Sequence, residues 1–111
     1  MKYLILGYVS ETGRQLPGPD LEAWMQEIGA WYEKWGSAGK LRDVGSQLTG
    51  GAKTIRLDSV IDGPFMESKE VLGGYSVLEA DSMDEAVEMA KSWPGIDRGM
   101  ITMEVWPIPE Q

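Results

Sequence analysis

Residues 2–9 read Lys2-Tyr3-Leu4-Ile5-Leu6-Gly7-Tyr8-Val9, and this stretch decides the fold class. Successive side chains of a β-strand point to opposite faces, and here both faces are apolar. One face carries Tyr3, Ile5 and Val9, and the other carries Leu4, Leu6 and Tyr8. A strand with two apolar faces has to be covered on both sides. The sequence therefore predicts a sheet with helices on one face and a second cover on the other.

Two amphipathic helices are predicted to form the first cover. The first opens at Pro19-Asp20 and ends at Gly36 and Gly39, in keeping with the residues that favour helix ends. Its apolar residues recur at spacings of three and four: they are Leu21, Trp24, Met25, Ile28, Trp31, Tyr32 and Trp35. The second helix begins at the capping box Ser82–Glu85 and is stopped by Pro94. The helical spacing of the tryptophans indicates core packing and not a cofactor site.

The remaining segments complete an α+β pattern within a single domain, residues 1–111. Further strands are predicted at residues 41–48, 53–61, 75–80 and 100–106. Residues 11–18 are polar and interrupted by Gly and Pro, so they are predicted to be a loop. The order β-α-β-β-β-α-β is typical of the ferredoxin-like split βαβ fold, an antiparallel sheet with two helices on one face. A second copy of the sheet is the simplest cover for the other face, which predicts a homodimer.

Composition excludes several classes of chemistry. The chain of 111 residues contains no cysteine and no histidine, which rules out thiolate metal sites, cysteine nucleophiles and serine–histidine relays. The net charge is −8, from 18 acidic and 10 basic residues, so neither nucleic acid nor an anionic membrane surface is expected as a partner. The apolar N-terminal stretch is too short for a membrane span and lacks signal-peptide features. We expect a cytoplasmic protein without a metal site or cofactor.

Residues 62–75, from Asp62-Gly63-Pro64-Phe65 to Gly73-Gly74-Tyr75, resemble the signature of the DGPF, or YciI-related, family. Met1-Lys2-Tyr3, Gly39-Lys40-Leu41, Asp84-Glu85-Ala86 and the Pro107-Ile108 end resemble other parts of that family's pattern. The resemblance implies a dimeric α+β barrel. Some relatives are proposed to use a histidine–aspartate pair, one is a dehydrochlorinase of a chlorinated hydroxyquinol, and some are encoded beside sigma factors. The histidine has no counterpart here, and Trp106 stands where many relatives place an arginine.

Two carboxylates are candidates for proton transfer. Asp62 precedes a Gly-Pro turn, where an aspartate commonly accepts hydrogen bonds from backbone N–H groups. Its functional alternative is an acid or base at the mouth of the barrel cleft, which requires burial to raise its pKa. Glu104 is the second candidate, because the alternation of residues 101–106 places it with Thr102 and Trp106 away from the helices.

The candidate ligand-binding residues are Arg56, Lys69, Tyr75, Glu79 and Trp106. Arg56 is predicted either to pair with Glu104 or Glu79 across the barrel or to help line a polar pocket. Tyr75 and Trp106 would be the aromatic walls of that pocket. Lys69 belongs to a charged cluster with Glu67 and Glu70, which is either a solvated loop or a cationic contact for an anionic ligand.

Three hypotheses for function follow from these residues. The first is a dimeric module whose barrel cleft binds a small aromatic or acidic molecule. The second is a lyase or dehydrochlorinase-like enzyme that uses Asp62 or Glu104 for proton transfer. The third is an accessory regulatory protein or a purely structural role within a larger assembly. The absence of histidine and cysteine favours the binding module.

Overall fold

The chain folds into an antiparallel sheet with helices on one side and a separate β-hairpin. The computed structural model describes residues 1–66 and 68–110. The strands are β1 (Lys2–Val9), β2 (Leu41–Gln47), β3 (Lys53–Arg56), β4 (Ser59–Asp62), β5 (Val71–Glu79) and β6 (Ile101–Ile108). The helices are α1 (Glu11–Arg14), α2 (Gly18–Ser37) and α3 (Met83–Lys91), and a short 3-10 helix spans Ile96–Arg98.

The main sheet has the strand order β2-β5-β1-β6, and all its neighbouring strands are antiparallel. β1 is therefore a central strand, paired with β5 on one side and β6 on the other. Since α2 and α3 share one core, both helices cover the same face of the sheet. The ferredoxin-like split βαβ arrangement predicted from the sequence is confirmed.

The two faces of β1 differ in the way that its sequence predicts. Tyr3 and Ile5 face the helices and are almost fully buried. Leu4, Leu6 and Tyr8 are half-buried on the opposite side, which we call the open face. The core under the helices is formed by Tyr3, Ile5, Trp24, Trp31, Leu78, Ala80, Ala86, Met89, Ala90, Trp93, Met100 and Ile101. The prediction that the helical tryptophans are core residues holds for Trp24 and Trp31, and Trp35 packs against that core.

Residues 11–18 are not entirely a loop, because they contain α1. Ser10 caps this short helix by accepting a hydrogen bond from the Gly13 amide. A Cβ atom at Gly13 would lie 2.5 Å from the Met100 carbonyl oxygen, so only glycine allows α1 to approach the chain so closely. A four-residue helix is too short to produce the periodic pattern that identifies longer ones.

The prediction of one half-buried strand over residues 53–61 is wrong. The segment turns at Leu57 and Asp58 to form the hairpin β3–β4, which lies outside the main sheet. Ile55 is 80% exposed and Leu57 fully exposed, because alternation here has no sheet to pack against. Its apolar side chains instead stand on an isolated two-stranded ribbon.

The other elements lie close to their predicted positions. α2 matches the predicted helix at both ends, whereas β5 begins four residues earlier, at Val71, and β6 continues to Ile108. The capping box at α3 is half formed: Ser82 accepts from the Glu85 amide, but the Glu85 carboxylate binds Lys40. In the part of the chain that the structure describes, no helix is both long and apolar enough to cross a membrane.

Candidate functional site

A cavity of about 520 Å³ lies between α2 and the helix-covered face of the sheet. Small-molecule sites in proteins have volumes of roughly 300–1,000 Å³ and mostly apolar walls. The wall opposite the sheet includes Trp24, Met25, Ile28 and Tyr32 of α2, together with Trp93, which follows α3. The floor on the sheet includes Ile5, Gly7, Val9, Ser76, Ile101 and Met103. Residues 44–50 and 71–74 border it at the end of the sheet where β1 finishes.

A chain of hydrogen bonds runs along one wall of this cavity. The Ser76 hydroxyl donates to the Val44 carbonyl oxygen at 2.7 Å, and the Tyr32 hydroxyl lies 2.7 Å from Ser76 Oγ. Trp93 Nε1 donates to the Tyr32 oxygen at 3.4 Å. Ser76 has no solvent exposure, and a buried hydroxyl needs such partners. The chain of bonds therefore joins α2, β5 and β2 at one wall of the cavity.

Arg14, the last residue of α1, borders the same cavity. Its Nη1 atom donates to two backbone carbonyl oxygens, those of Val9 and Lys69, each at 2.7 Å. These bonds orient the guanidinium and tie α1 to the segment that leads into β5. Among the described residues that line the cavity, Arg14 is the one with a charged side chain. In a chain of net charge −8, this is a notable local excess of positive charge.

A second polar group lies on the open face of the sheet. Glu104 Oε1 accepts hydrogen bonds from the Tyr8 hydroxyl at 2.9 Å and from Trp106 Nε1 at 3.3 Å. The hydrogen bond to Glu104, together with burial, raises the pKa of Tyr8 above its ordinary value, so Tyr8 keeps its proton and remains a donor. Nearby on the same strand, the Thr102 hydroxyl donates to Glu70 Oε1 at 2.7 Å. Glu104 is thus a positioned carboxylate on the open face.

Asp62 and Arg56 lie on the hairpin, away from both groups. Asp62 forms an ion pair with Lys53 on the neighbouring strand, and its side chain is 87% exposed. Arg56 stacks over the Phe65 ring, with its guanidinium carbon 5.5 Å from the ring centroid. Within one chain, the structure does not bring Arg56 next to Glu104 or Glu79.

The other predicted ligand contacts are spread over the sheet. Tyr75, Glu79 and Trp106 belong to the open face, since they lie in register with Leu6, Lys2 and Leu4 of β1. Tyr75 also borders the cavity, and this register indicates that it does so through its backbone. Glu79 Oε2 lies 3.9 Å from the Met1 amine, which is an ion-pair distance but too long for a hydrogen bond.

Lys69 is exposed, and its backbone carbonyl accepts the bond from Arg14. Glu67, the first member of the predicted charged cluster, lies outside the described residues.

Of the predicted site residues, Tyr75 borders the cavity, and sequence reasoning missed the other residues that line it. Tyr32 and Trp24 had been assigned to the core from their helical spacing, which does not separate a core residue from a cavity wall. The one available signal for Ser76 was a serine at an inward-facing position of a strand, where a polar side chain requires a partner. No periodic signal identified Arg14.

Comparisons with known proteins agree with this architecture. Residues 1–109 match the family model of the YCII-related domain. An uncharacterized protein of Rhizobium meliloti (strain 1021) is 34% identical over 114 residues, covering 97% of this chain and 92% of that protein. Among solved structures, 5-chloro-2-hydroxyhydroquinone dehydrochlorinase of Burkholderia phenoliruptrix AC1100, in complex with 2,5-dihydroxybenzoquinone, has a similar fold. Its TM-score is 0.60 at 21% identity, with 100% of this chain and 96% of that chain covered.

Proposed function

The chain belongs to the YCII-related domain family, and from that premise we propose that it is a dimeric binding module for a small aromatic molecule. The site in this proposal is the cavity between α2 and the sheet. The two protomers associate through their open faces.

The observation that carries the proposal is the composition of the cavity. Aromatic and aliphatic side chains form most of its wall, and a few polar groups, among them Tyr32, Ser76 and Arg14, stand at defined places. Such an arrangement is typical of a site that binds an apolar ring and orients it by a few hydrogen bonds. The quinone bound by the structurally similar dehydrochlorinase supports a ligand of one-ring size.

Calorimetric titration with 2,5-dihydroxybenzoquinone and simple phenols tests the proposal. A variant that fills the cavity, Met25→Trp, is expected to weaken binding by about tenfold or more, because the ligand loses apolar contact area. Met25 borders the cavity and is 49% exposed, so a larger side chain fits there without displacing the buried core.

Gln26→Trp is the matched control, since Gln26 is exposed on the same helix and does not border the cavity. This variant is expected to bind as the unmodified protein does. Absence of binding by every probe, or an equal effect of both variants, contradicts the proposal.

The dimer part of the proposal rests on the open face. Leu4, Leu6, Tyr8 and Val77 are half-buried there, and Trp106 is 54% exposed, while α2 and α3 cover the other face. Apolar side chains on an uncovered sheet face, here beside the Glu104 carboxylate, are typical of an interface between proteins. Light scattering after size exclusion is expected to give twice the chain mass of 12.3 kDa, and a single-chain mass at micromolar concentration contradicts the dimer.

A second candidate function is proton transfer by Glu104, and the hydrogen bonds from Tyr8 and Trp106 favour it because they fix the carboxylate in one orientation. In an elimination of hydrogen chloride, the carboxylate takes a proton from the substrate, the electron pair of the broken bond to hydrogen forms a new double bond, and the carbon–chlorine bond breaks to release chloride.

Chloride release from a chlorinated hydroxyquinol, measured for the unmodified protein, Glu104→Gln and Asp62→Asn, tests this candidate. Activity lost in Glu104→Gln and kept in Asp62→Asn supports Glu104. Loss in Asp62→Asn alone assigns the role to Asp62, and no release from the unmodified protein removes the candidate.

A further inference from the structure

The direction of the hydrogen bonds at Tyr32 decides what that end of the cavity can recognise. Ser76 has one hydroxyl proton, and it is donated to the Val44 carbonyl oxygen. The bond between the two hydroxyls must therefore run from Tyr32 to Ser76, which commits the Tyr32 proton as well. The Tyr32 oxygen accepts from Trp93 Nε1 only at 3.4 Å, which is longer than a normal hydrogen bond, so it keeps acceptor capacity for a ligand, and Tyr32 is the half-buried member of the pair. This end of the cavity accepts a hydrogen bond and has no proton to donate.

The other polar end has the opposite character. A guanidinium carries five N–H donors, and the two on Nη1 of Arg14 account for its bonds to Val9 and Lys69. Among the described residues, no carboxylate lies within ion-pair distance of Arg14, and no carboxylate borders the cavity. Arg14 therefore offers further donors and a positive charge to a ligand, which matches the geometry of a carboxylate.

The separation of the two ends can be read along β1. Ser76 is the register partner of Ile5, and Arg14 is held on the carbonyl oxygen of Val9, four residues further on. Four residues of strand span about 13 Å. Two hydrogen bonds of about 2.8 Å account for roughly 6 Å of this length. The remainder is long enough for a single ring with polar groups at opposite ends.

We infer that the cavity binds a hydroxyaryl acid, with the ring hydroxyl donating to Tyr32 Oη and the carboxylate accepting from Arg14. The inference rests on the proposed function and specifies its ligand class. The apolar wall contacts the ring, the acceptor end selects a donor, and the cationic end selects an anion. A neutral ring or a ring without a hydroxyl satisfies only part of this pattern.

Three probes of one shape separate the two contacts. Calorimetric titration compares 4-hydroxybenzoate with 4-hydroxybenzamide, which lacks the charge, and with benzoate, which lacks the hydroxyl. The unmodified protein is expected to bind 4-hydroxybenzoate about tenfold more tightly than the amide, because charge-assisted hydrogen bonds are the stronger ones. Benzoate is expected to bind about threefold to tenfold more weakly than 4-hydroxybenzoate.

Two variants assign each preference to its residue. Arg14→Gln is expected to reduce the acid-to-amide ratio to about one and to leave the preference for the hydroxyl unchanged. Tyr32→Phe is expected to remove the preference for the hydroxyl and to leave the acid-to-amide ratio unchanged. Arg42→Gln is the matched control, because Arg42 is an exposed arginine that does not border the cavity. Thermal unfolding of each variant confirms that it is folded before its affinities are compared.

The outcomes separate this inference from the proposed function. Equal affinity for acid and amide, or an acid-to-amide ratio that survives Arg14→Gln, overturns the inference while the cavity remains a binding site. Binding of 2,5-dihydroxybenzoquinone but of none of the three probes also overturns the inference and leaves the cavity as a binding site. Failure of all four compounds to bind overturns the proposed function together with the inference.

Discussion

Tyr32 Oη lies 2.7 Å from Ser76 Oγ, and this contact fixes the middle of α2 above β5. Ser76 is fully buried and passes its own proton to the Val44 carbonyl oxygen on the neighbouring strand. Three segments that are distant in the sequence are therefore held at one point. Because the point lies on the cavity wall, the same bonds stabilise the fold and shape the candidate site.

Ser76→Ala is expected to lower the free energy of unfolding by about 1–3 kcal/mol, since it leaves the Val44 carbonyl without its side-chain donor and Tyr32 without its acceptor. Urea unfolding measures the change. Ser46→Ala is the control, because Ser46 is exposed and its hydroxyl donates to the carbonyl oxygen of its neighbour Gln47. Its free energy of unfolding is expected to stay within about 0.5 kcal/mol of the unmodified protein. Equal stability of the two variants would show that the buried bonds contribute nothing.

Gly45→Ala is expected to be among the most destabilising single changes, by about 4 kcal/mol or more. Gly45 has a φ of +77°, and a Cβ atom there would overlap the Tyr75 carbonyl oxygen on β5. Gly39 has a similar φ of +72° with no atom within 4 Å of the added Cβ, so Gly39→Ala carries only the backbone strain of about 1–2 kcal/mol.

Urea unfolding compares these two glycine variants. If Gly45→Ala yields no folded protein while Gly39→Ala does, this result also shows that Gly45→Ala is the more destabilising change. Similar stabilities would mean that β2 and β5 separate easily at this point.

The sequence predicts those parts of the fold that depend on short-range periodicity. Ile101 is buried and Glu104 is exposed on the opposite face of β6, as alternation indicates, and the limits of α2 follow from its end residues. The hairpin was not predicted, because alternation within residues 53–61 does not reveal whether a sheet lies beside the segment. The cavity was not predicted, because Arg14 and Ser76 are 62 positions apart in the sequence and border one cavity only as a result of the strand order.

The ion pair between Lys40 and Glu85 is expected to make stability depend on pH at both extremes. Lys40 Nζ lies 2.8 Å from Glu85 Oε1, and this hydrogen bond lowers the pKa of Glu85 and raises the pKa of Lys40. The stabilisation from Glu85 is present above its unfolded pKa and is lost as the pH falls through its lowered folded pKa. The stabilisation from Lys40 is present below its unfolded pKa and is lost as the pH rises through its raised folded pKa.

Thermal unfolding between acid and alkaline pH measures this contribution. Glu85→Gln is expected to lower the melting temperature near neutral pH and to converge with the unmodified protein in acid, where Glu85 is protonated in both states. The effect is expected to be small, because both side chains are about one-third exposed. Glu88→Gln is the control, since Glu88 pairs with Lys91 in a far more exposed position. A difference from the unmodified protein that persists unchanged into acid contradicts the assignment.

Leu6→Lys is expected to dissociate the proposed dimer, because Leu6 lies at the centre of the open face between β5 and β6. Association would bury the lysine, and this is expected to weaken association by about tenfold or more, because desolvating the charge is costly even with the Glu104 carboxylate opposite it on β6. Analytical ultracentrifugation over a range of concentrations measures the shift towards the single chain, and circular dichroism shows whether the variant stays folded. Ala23→Lys adds the same charge to an exposed position of α2, on the side of the molecule away from the open face, and is expected to leave association unchanged. A folded Leu6→Lys protein that associates as strongly as Ala23→Lys would place the interface elsewhere on the molecule.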